Sequence, residues 1–114
     1  METTNDDIHA IVSRLLTLDP YRIVLFGSHA TGTEKSGSDI DLLVVLNSEA
    51  ISQTYEERMN RRLMVRDSIQ EINRRVPIDL LVYTKAEYQI LETHGTSFVN
   101  EIRSSGKILY DKAS

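Results

Sequence analysis

Ile8, Ile11, Val12, Leu15 and Leu16 recur at three- and four-residue intervals, the spacing that lines one face of a helix. The pattern predicts a helix over about residues 6–18, capped by Asn5, with Asp6 and Asp7 favouring the dipole of its first turn. Pro20 closes it. The rhythm then changes. Arg22-Ile23-Val24-Leu25-Phe26 reads as a strand that stops at Gly27-Ser28, and Asp41-Leu42-Leu43-Val44-Val45-Leu46 as a second strand, apolar on both faces and therefore covered on both sides. A long helical stretch is expected over roughly 51–75, with Tyr55, Met59, Leu63, Ile69 and Ile72 inward, a Thr54–Glu57 capping box near its start and Pro77 at its end. Ile78-Asp79-Leu80-Leu81-Val82-Tyr83 is a third strand. Thr84-Lys85-Ala86-Glu87 opens a helix that His94-Gly95 stops. Another helix runs from Ser97 to Ser105 with Phe98 and Ile102 inward, Gly106 ends it, and Lys107-Ile108-Leu109-Tyr110 is a last, edge strand. Helices alternating with short apolar strands give an α/β fold.

The strand order follows from connection lengths. Thirty-one residues (47–77) holding a helix join the second strand to the third, enough for a parallel crossover. Only ten (29–38) separate Ser28 from Asp39, too few for one, so the first two strands are expected to be antiparallel. The sheet is then mixed. The end of the first strand, Gly27-Ser28, meets the starts of the second and third, where Asp39, Asp41 and Asp79 stand.

Composition narrows the class. The 114 residues are 40% hydrophobic and 26% charged, an ordinary globular balance and one expected domain over 1–114. No Cys is present, which removes disulfides, thiolate metal sites and cysteine nucleophiles. No apolar run approaches the ~18 residues of a spanning helix, and the acidic N-terminus is no signal peptide. A cytoplasmic protein without membrane attachment is expected. The net charge of −4 argues against broad nucleic-acid binding.

The chemistry concentrates at the strand ends. Asp39 and Asp41 are two apart and share a face. A carboxylate in an apolar sheet is costly unless paired or bound to a cation, and three at strand starts suggest Mg²⁺ shared with phosphate oxygens. Gly27 allows close backbone approach, and Ser28 offers a hydroxyl and an N–H at the start of a short helix, Ser28 to Thr31. The combination suits a nucleoside triphosphate with Mg²⁺. Singly, each aspartate also reads as a solvated turn or strand-edge carboxylate. Arg58, Arg61, Arg62, Arg66, Arg74 and Arg75 read as a solvated helix face interleaved with acids, the alternative being that Arg61 or Arg62 reaches a triphosphate or an acidic partner. His9, His29 and His94 show no metal-ligand spacing, and Tyr83, Tyr88 and Tyr110 read as packing residues.

Gly27-Ser28, ten residues, then Asp39-Ile40-Asp41, with Asp79 in a later strand, resembles the signature of the polymerase-beta-like nucleotidyltransferase superfamily. The run Ser38-Asp39-Ile40-Asp41-Leu42-Leu43-Val44, with Ser97-Phe98-Val99 and Gly106-Lys107-Ile108-Leu109-Tyr110, most resembles its minimal nucleotidyltransferases, the MNT group often paired as antitoxins with HEPN-domain toxins. The resemblance implies a small mixed sheet of α+β type. It implies that Asp39 and Asp41 hold two metal ions, that Asp79 shares the catalytic metal and helps activate an attacking hydroxyl, and that Ser28 binds the β- or γ-phosphate. ATP is then the donor and a hydroxyl of a HEPN-type toxin the acceptor of AMP, in a complex of the two proteins. Two other outcomes stay open: an antitoxin that neutralises its partner by binding alone, and a stand-alone transferase acting on a small molecule or RNA end. Many relatives carry Arg in the pattern G-S-x-A-R-G where this chain has Thr31, so one positive charge near the site is missing.

Overall fold

The computed structural model describes residues 5–32 and 39–113. In chain order the elements are α1 (Asn5–Leu15, continued by a 3₁₀ turn at Leu16–Leu18), β1 (Pro20–Phe26), α2 (Ser28–Thr31), β2 (Ile40–Leu46), α3 (Tyr55–Ser68), α4 (Gln70–Asn73), β3 (Ile78–Thr84), α5 (Lys85–His94), α6 (Ser97–Ser105) and β4 (Lys107–Asp111). The four strands form one sheet in the order β3-β2-β1-β4. β1 runs antiparallel to both β2 and β4, and β2 runs parallel to β3. This is the mixed α/β architecture expected from the connection lengths.

β2 is central, and its residues other than Asp41 are buried, which is what an uninterrupted apolar run requires of a strand with helices on both faces. Ile40, Leu42, Val44 and Leu46 join Ile23, Leu25 and Leu80 under α1, α3 and α4, meeting Ile11, Leu15, Val65, Ile69 and Ile72. Leu43 and Val45 point the other way with Val24, onto Tyr88 of α5 and Ile102 of α6. Asp41 has the same parity as Leu43 and Val45 and so belongs to the α5/α6 face. Thr84 and Glu87 form a complete capping box, the Thr84 Oγ1 accepting from the Glu87 N–H (3.1 Å) and the Glu87 carboxylate from the Thr84 N–H (2.9 Å). Among the described residues no helix is long and apolar enough to cross a membrane.

Several local expectations are corrected. Asn5 is the first residue of α1 rather than a residue ahead of it. Pro20 begins β1 instead of closing a helix, and the 3₁₀ turn leaves Leu16 42% exposed. The stretch 51–75 divides. Its helix starts only at Tyr55, where Thr54 caps it by accepting from the Glu57 N–H. The chain breaks at Ile69 (φ −116°, ψ 15°), whose side chain is fully buried. Ile69 and Ile72 are inward as expected, but Tyr55 is 75% and Leu63 42% exposed. Only the C-terminal half of α3, through Val65, lies on the core; its N-terminal half passes the outer side of β3. Ser38, part of the motif run, lies outside the described residues.

Candidate active site

The acidic positions meet because of strand register. Asp41 and Asp79 are direct partners across the parallel β2–β3 pair, so their side chains rise from one face of neighbouring strands ~4.8 Å apart. Asp39 stands two residues earlier, on the same side of the chain. Phe26, the last residue of β1, pairs with Asp41, which delivers Gly27 and Ser28 to the same end of the sheet. Thus the structure brings Gly27, Ser28, Asp39, Asp41 and Asp79 together. Asp39 and Asp79 are exposed and Asp41 is half-buried.

Gly27 is required by two independent features. Its backbone (φ 72°, ψ −155°) lies in a region that is nearly glycine-only. A Cβ there would overlap the Asp41 Oδ2 and lie 3.2 Å from its Cγ. The bend packs the backbone directly onto the Asp41 carboxylate. It then enters α2, where the Ala30 and Thr31 N–H groups donate to the Gly27 carbonyl (3.1 and 3.3 Å).

The carboxylates resist one another. Burial pushes the Asp41 carboxyl above its ordinary range, the neighbouring Asp79 and Asp39 push it further, and His29 on α2 opposes them. Glu101 on α6 adds a smaller negative contribution. Such crowding disfavours the charged forms unless a cation compensates. Among the described residues no three His, Asp or Glu side chains close on a single point as a ready-made ion cage. Mg²⁺ does not need one: it is commonly bound through one or two carboxylates with substrate phosphates completing the shell. The hard-oxygen donor set therefore fits a divalent ion bound together with a triphosphate.

The arginine series is not a uniform solvated face. Arg62 reaches across the outer strand to Asp79 (Nη2–Oδ1 3.9 Å). Arg61 is structural: it hydrogen-bonds the Ser52 hydroxyl and lies 3.7 Å from the Glu87 carboxylate. Arg75 pairs with the buried Asp7 at 2.8 Å, tying the first helix to the segment before β3. His29, which shows no metal-ligand spacing in the sequence, joins the site's electrostatics beside Asp41.

The nucleotidyltransferase domain family matches this chain over residues 7–109. Among curated proteins none matches. Solved structures share the fold. A toxin–antitoxin crystallised with AMP-PNP aligns at 21% identity and TM-score 0.55, over 96% of this chain and 75% of its own. A proposed nucleotidyltransferase from Sulfolobus solfataricus aligns at 20% identity and TM-score 0.52, over 100% of this chain and 95% of its own. A variant of the toxin–antitoxin MntA-HpeT aligns at 18% identity and TM-score 0.50, over 96% and 75%. With the profile spanning nearly the whole sequence and the sheet, glycine bend and acidic register in place, the chain belongs to the nucleotidyltransferase domain family.

Proposed function

We propose that the chain transfers AMP from ATP to a hydroxyl group of a partner protein, most closely in the manner of an antitoxin acting on a HEPN-type toxin. The observation that carries this reading is the Asp41–Asp79 register beside Gly27. It gathers acids from two strands against a backbone bend packed directly onto the Asp41 carboxylate. The toxin–antitoxin setting of two structural neighbours, one crystallised with a nucleotide analogue, supports the partner and the donor.

Asp39, Asp41 and Asp79 would hold Mg²⁺, two ions by the family resemblance. When bound, the ions neutralise the phosphates and steady the attacking and leaving oxygens of an in-line displacement. Ser28 donates its hydroxyl and N–H to the β- or γ-phosphate, and Gly27 lets the chain approach without a side chain in the way. Asp79, the acid on the outer of the two strands, draws the proton from the acceptor hydroxyl. The acceptor oxygen forms its bond to the α-phosphorus as the bond to pyrophosphate breaks, and pyrophosphate leaves.

The test uses ATP labelled at the α-phosphate, Mg²⁺ and a lysate of the source cells, with wild type beside Asp39→Asn and Asp41→Asn. A labelled protein band made only by wild type is expected and identifies the acceptor. Equal labelling by Asp39→Asn refutes the metal assignment. Full protection of cells by an Asp39→Asn/Asp41→Asn double variant replaces transfer with neutralisation by binding. Labelling of RNA or a small compound instead makes the chain a stand-alone transferase.

A further inference from the structure

β3 is the outermost strand, and among the described residues no strand pairs with its free side. A groove of about 280 Å³ runs along that side. Four consecutive β3 residues, Leu80 to Tyr83, line it. Consecutive residues of a strand point to opposite faces, so a groove touching all four follows the strand's edge and its unpaired backbone groups. The other wall is Tyr55, Arg58, Met59 and Arg62 of α3, spaced i, i+3, i+4 and i+7, a single helical stripe. This is the overhanging half of α3 that sequence periodicity assigns to the core. Tyr55 is 75% exposed there.

We propose that this groove receives an extended, acidic segment of a partner protein, added as a strand beside β3 and leading to Asp79. Three observations select that occupant. The open edge offers peptide hydrogen-bonding groups in register, the basis of recognition by strand addition. The wall alternates apolar surface (Tyr55, Met59) with two guanidiniums (Arg58, Arg62), which match carboxylates by geometry and charge. The groove is continuous with the catalytic end, because Arg62 lines it and contacts Asp79 at 3.9 Å. Two arginines in a chain of net charge −4 give a weak electrostatic pull on nucleic acid. Only the consequence at Asp79, that an arriving hydroxyl side chain becomes the acceptor, rests on the transferase reading.

The experiment selects random heptapeptides displayed on phage against the full chain and counter-selects on Arg58→Glu. Arg58 is exposed and outside the catalytic group, so its reversal leaves the fold and nucleotide binding intact. Enriched peptides rich in Asp and Glu are expected, binding wild type at least tenfold tighter than Arg58→Glu or Tyr55→Ser in fluorescence anisotropy. Amide hydrogen exchange at 80–83 slows on peptide addition. The proposal falls if nothing is enriched over the resin, if the consensus lacks acids, or if Arg58→Glu binds equally. It also falls if exchange at 80–83 slows with protein concentration alone, marking a second copy of this chain, or if a single-stranded oligonucleotide binds there with the same sensitivity to Arg58→Glu. Binding of Mg²⁺ with AMP-PNP is measured in parallel. Peptide binding without nucleotide binding or transfer refutes the catalytic reading and leaves the groove standing.

Discussion

Replacing Gly27 with Ala tests how the site is built. Two costs add. At φ 72° and ψ −155° a non-glycine residue is strained by about 1–3 kcal/mol. The new Cβ also overlaps the Asp41 carboxylate, with Asp41 Cγ 3.2 Å and Cβ 3.4 Å away. A short side chain relieves this by leaving its rotamer, at about 0.5–1.5 kcal/mol. The sum is roughly 1.5–4.5 kcal/mol, or ~6–18 °C in Tm at about 4 °C per kcal/mol for a domain of this size. Thermal and urea unfolding of Gly27→Ala, Asp41→Ala and the double variant separate the two terms. In the Asp41→Ala background the overlap is gone, so Gly27→Ala should cost only the backbone term, and the coupling between the sites should be about 0.5–1.5 kcal/mol. Transfer by Gly27→Ala should fall by about 100-fold, the scale of a 1 Å displacement of a catalytic group. A Tm within 2 °C of wild type refutes the backbone argument (the shift must exceed about half a kcal/mol to count). An equal cost in both backgrounds refutes the contact with Asp41.

Asp41→Asn should raise Tm at pH 7 in the absence of divalent ions. The folded pKa of Asp41 lies above its unfolded value, so stability falls as pH rises through that window and stays lower at neutral pH. The gain should vanish below about pH 4, where the carboxyl is protonated in both states, and melting curves across pH check it. Glu87→Gln should cost about 1–3 kcal/mol at pH 7. Burial pushes the Glu87 carboxyl up, but the Thr84 and Ser52 N–H groups, the Ser52 side chain and Arg61 outweigh burial and hold it below its ordinary range. That stability is present above the unfolded value and lost as pH falls through the folded one, so the gap from wild type should close in acid; urea titrations at pH 7 and pH 3 measure it. Thr31→Arg should lower the KM for ATP by about 2–5-fold, the yield of one exposed ion pair of ~0.4–1 kcal/mol, with kcat unchanged. An unaltered KM in steady-state kinetics would place the phosphates away from the end of α2.

Much of this architecture is legible in the chain because short-range rules decide it. The ten residues between Ser28 and Asp39 are too few for a parallel crossover, which makes β1 and β2 antiparallel and puts the end of β1 beside the start of β2, where the structure pairs Phe26 with Asp41. The Thr84–Glu87 box is local and formed as read. What escapes is non-local. Asp7 reads as a helix-dipole residue, yet its partner Arg75 is 68 positions away. Tyr55, Met59 and Leu63 carry the spacing of a core stripe, and periodicity cannot reveal that β3 is the outer strand and that the helix overhangs it. The exposure of Tyr55 is a property of sheet order, which no segment holds by itself.

Sheet order also explains how the acids are distributed. A parallel pair must start two strands at the same end, so any carboxylates at both starts are driven into register and repel, as at Asp41 and Asp79. Natural sequences retain such destabilising contacts where function needs them. Here the protein's compensating charges sit at the flanks, His29 on the α2 side and Arg62 on the β3 side. Neither replaces the arginine missing at Thr31 with the bidentate hold on phosphate that a guanidinium there would supply. On the proposed reading, neutralisation of a triphosphate at this site would come mainly from divalent ions held by the acids. Crowding of the three aspartates, which the Arg62–Asp79 contact offsets in part, leaves an electrostatic deficit that metal and phosphate would relieve together on the proposed reading.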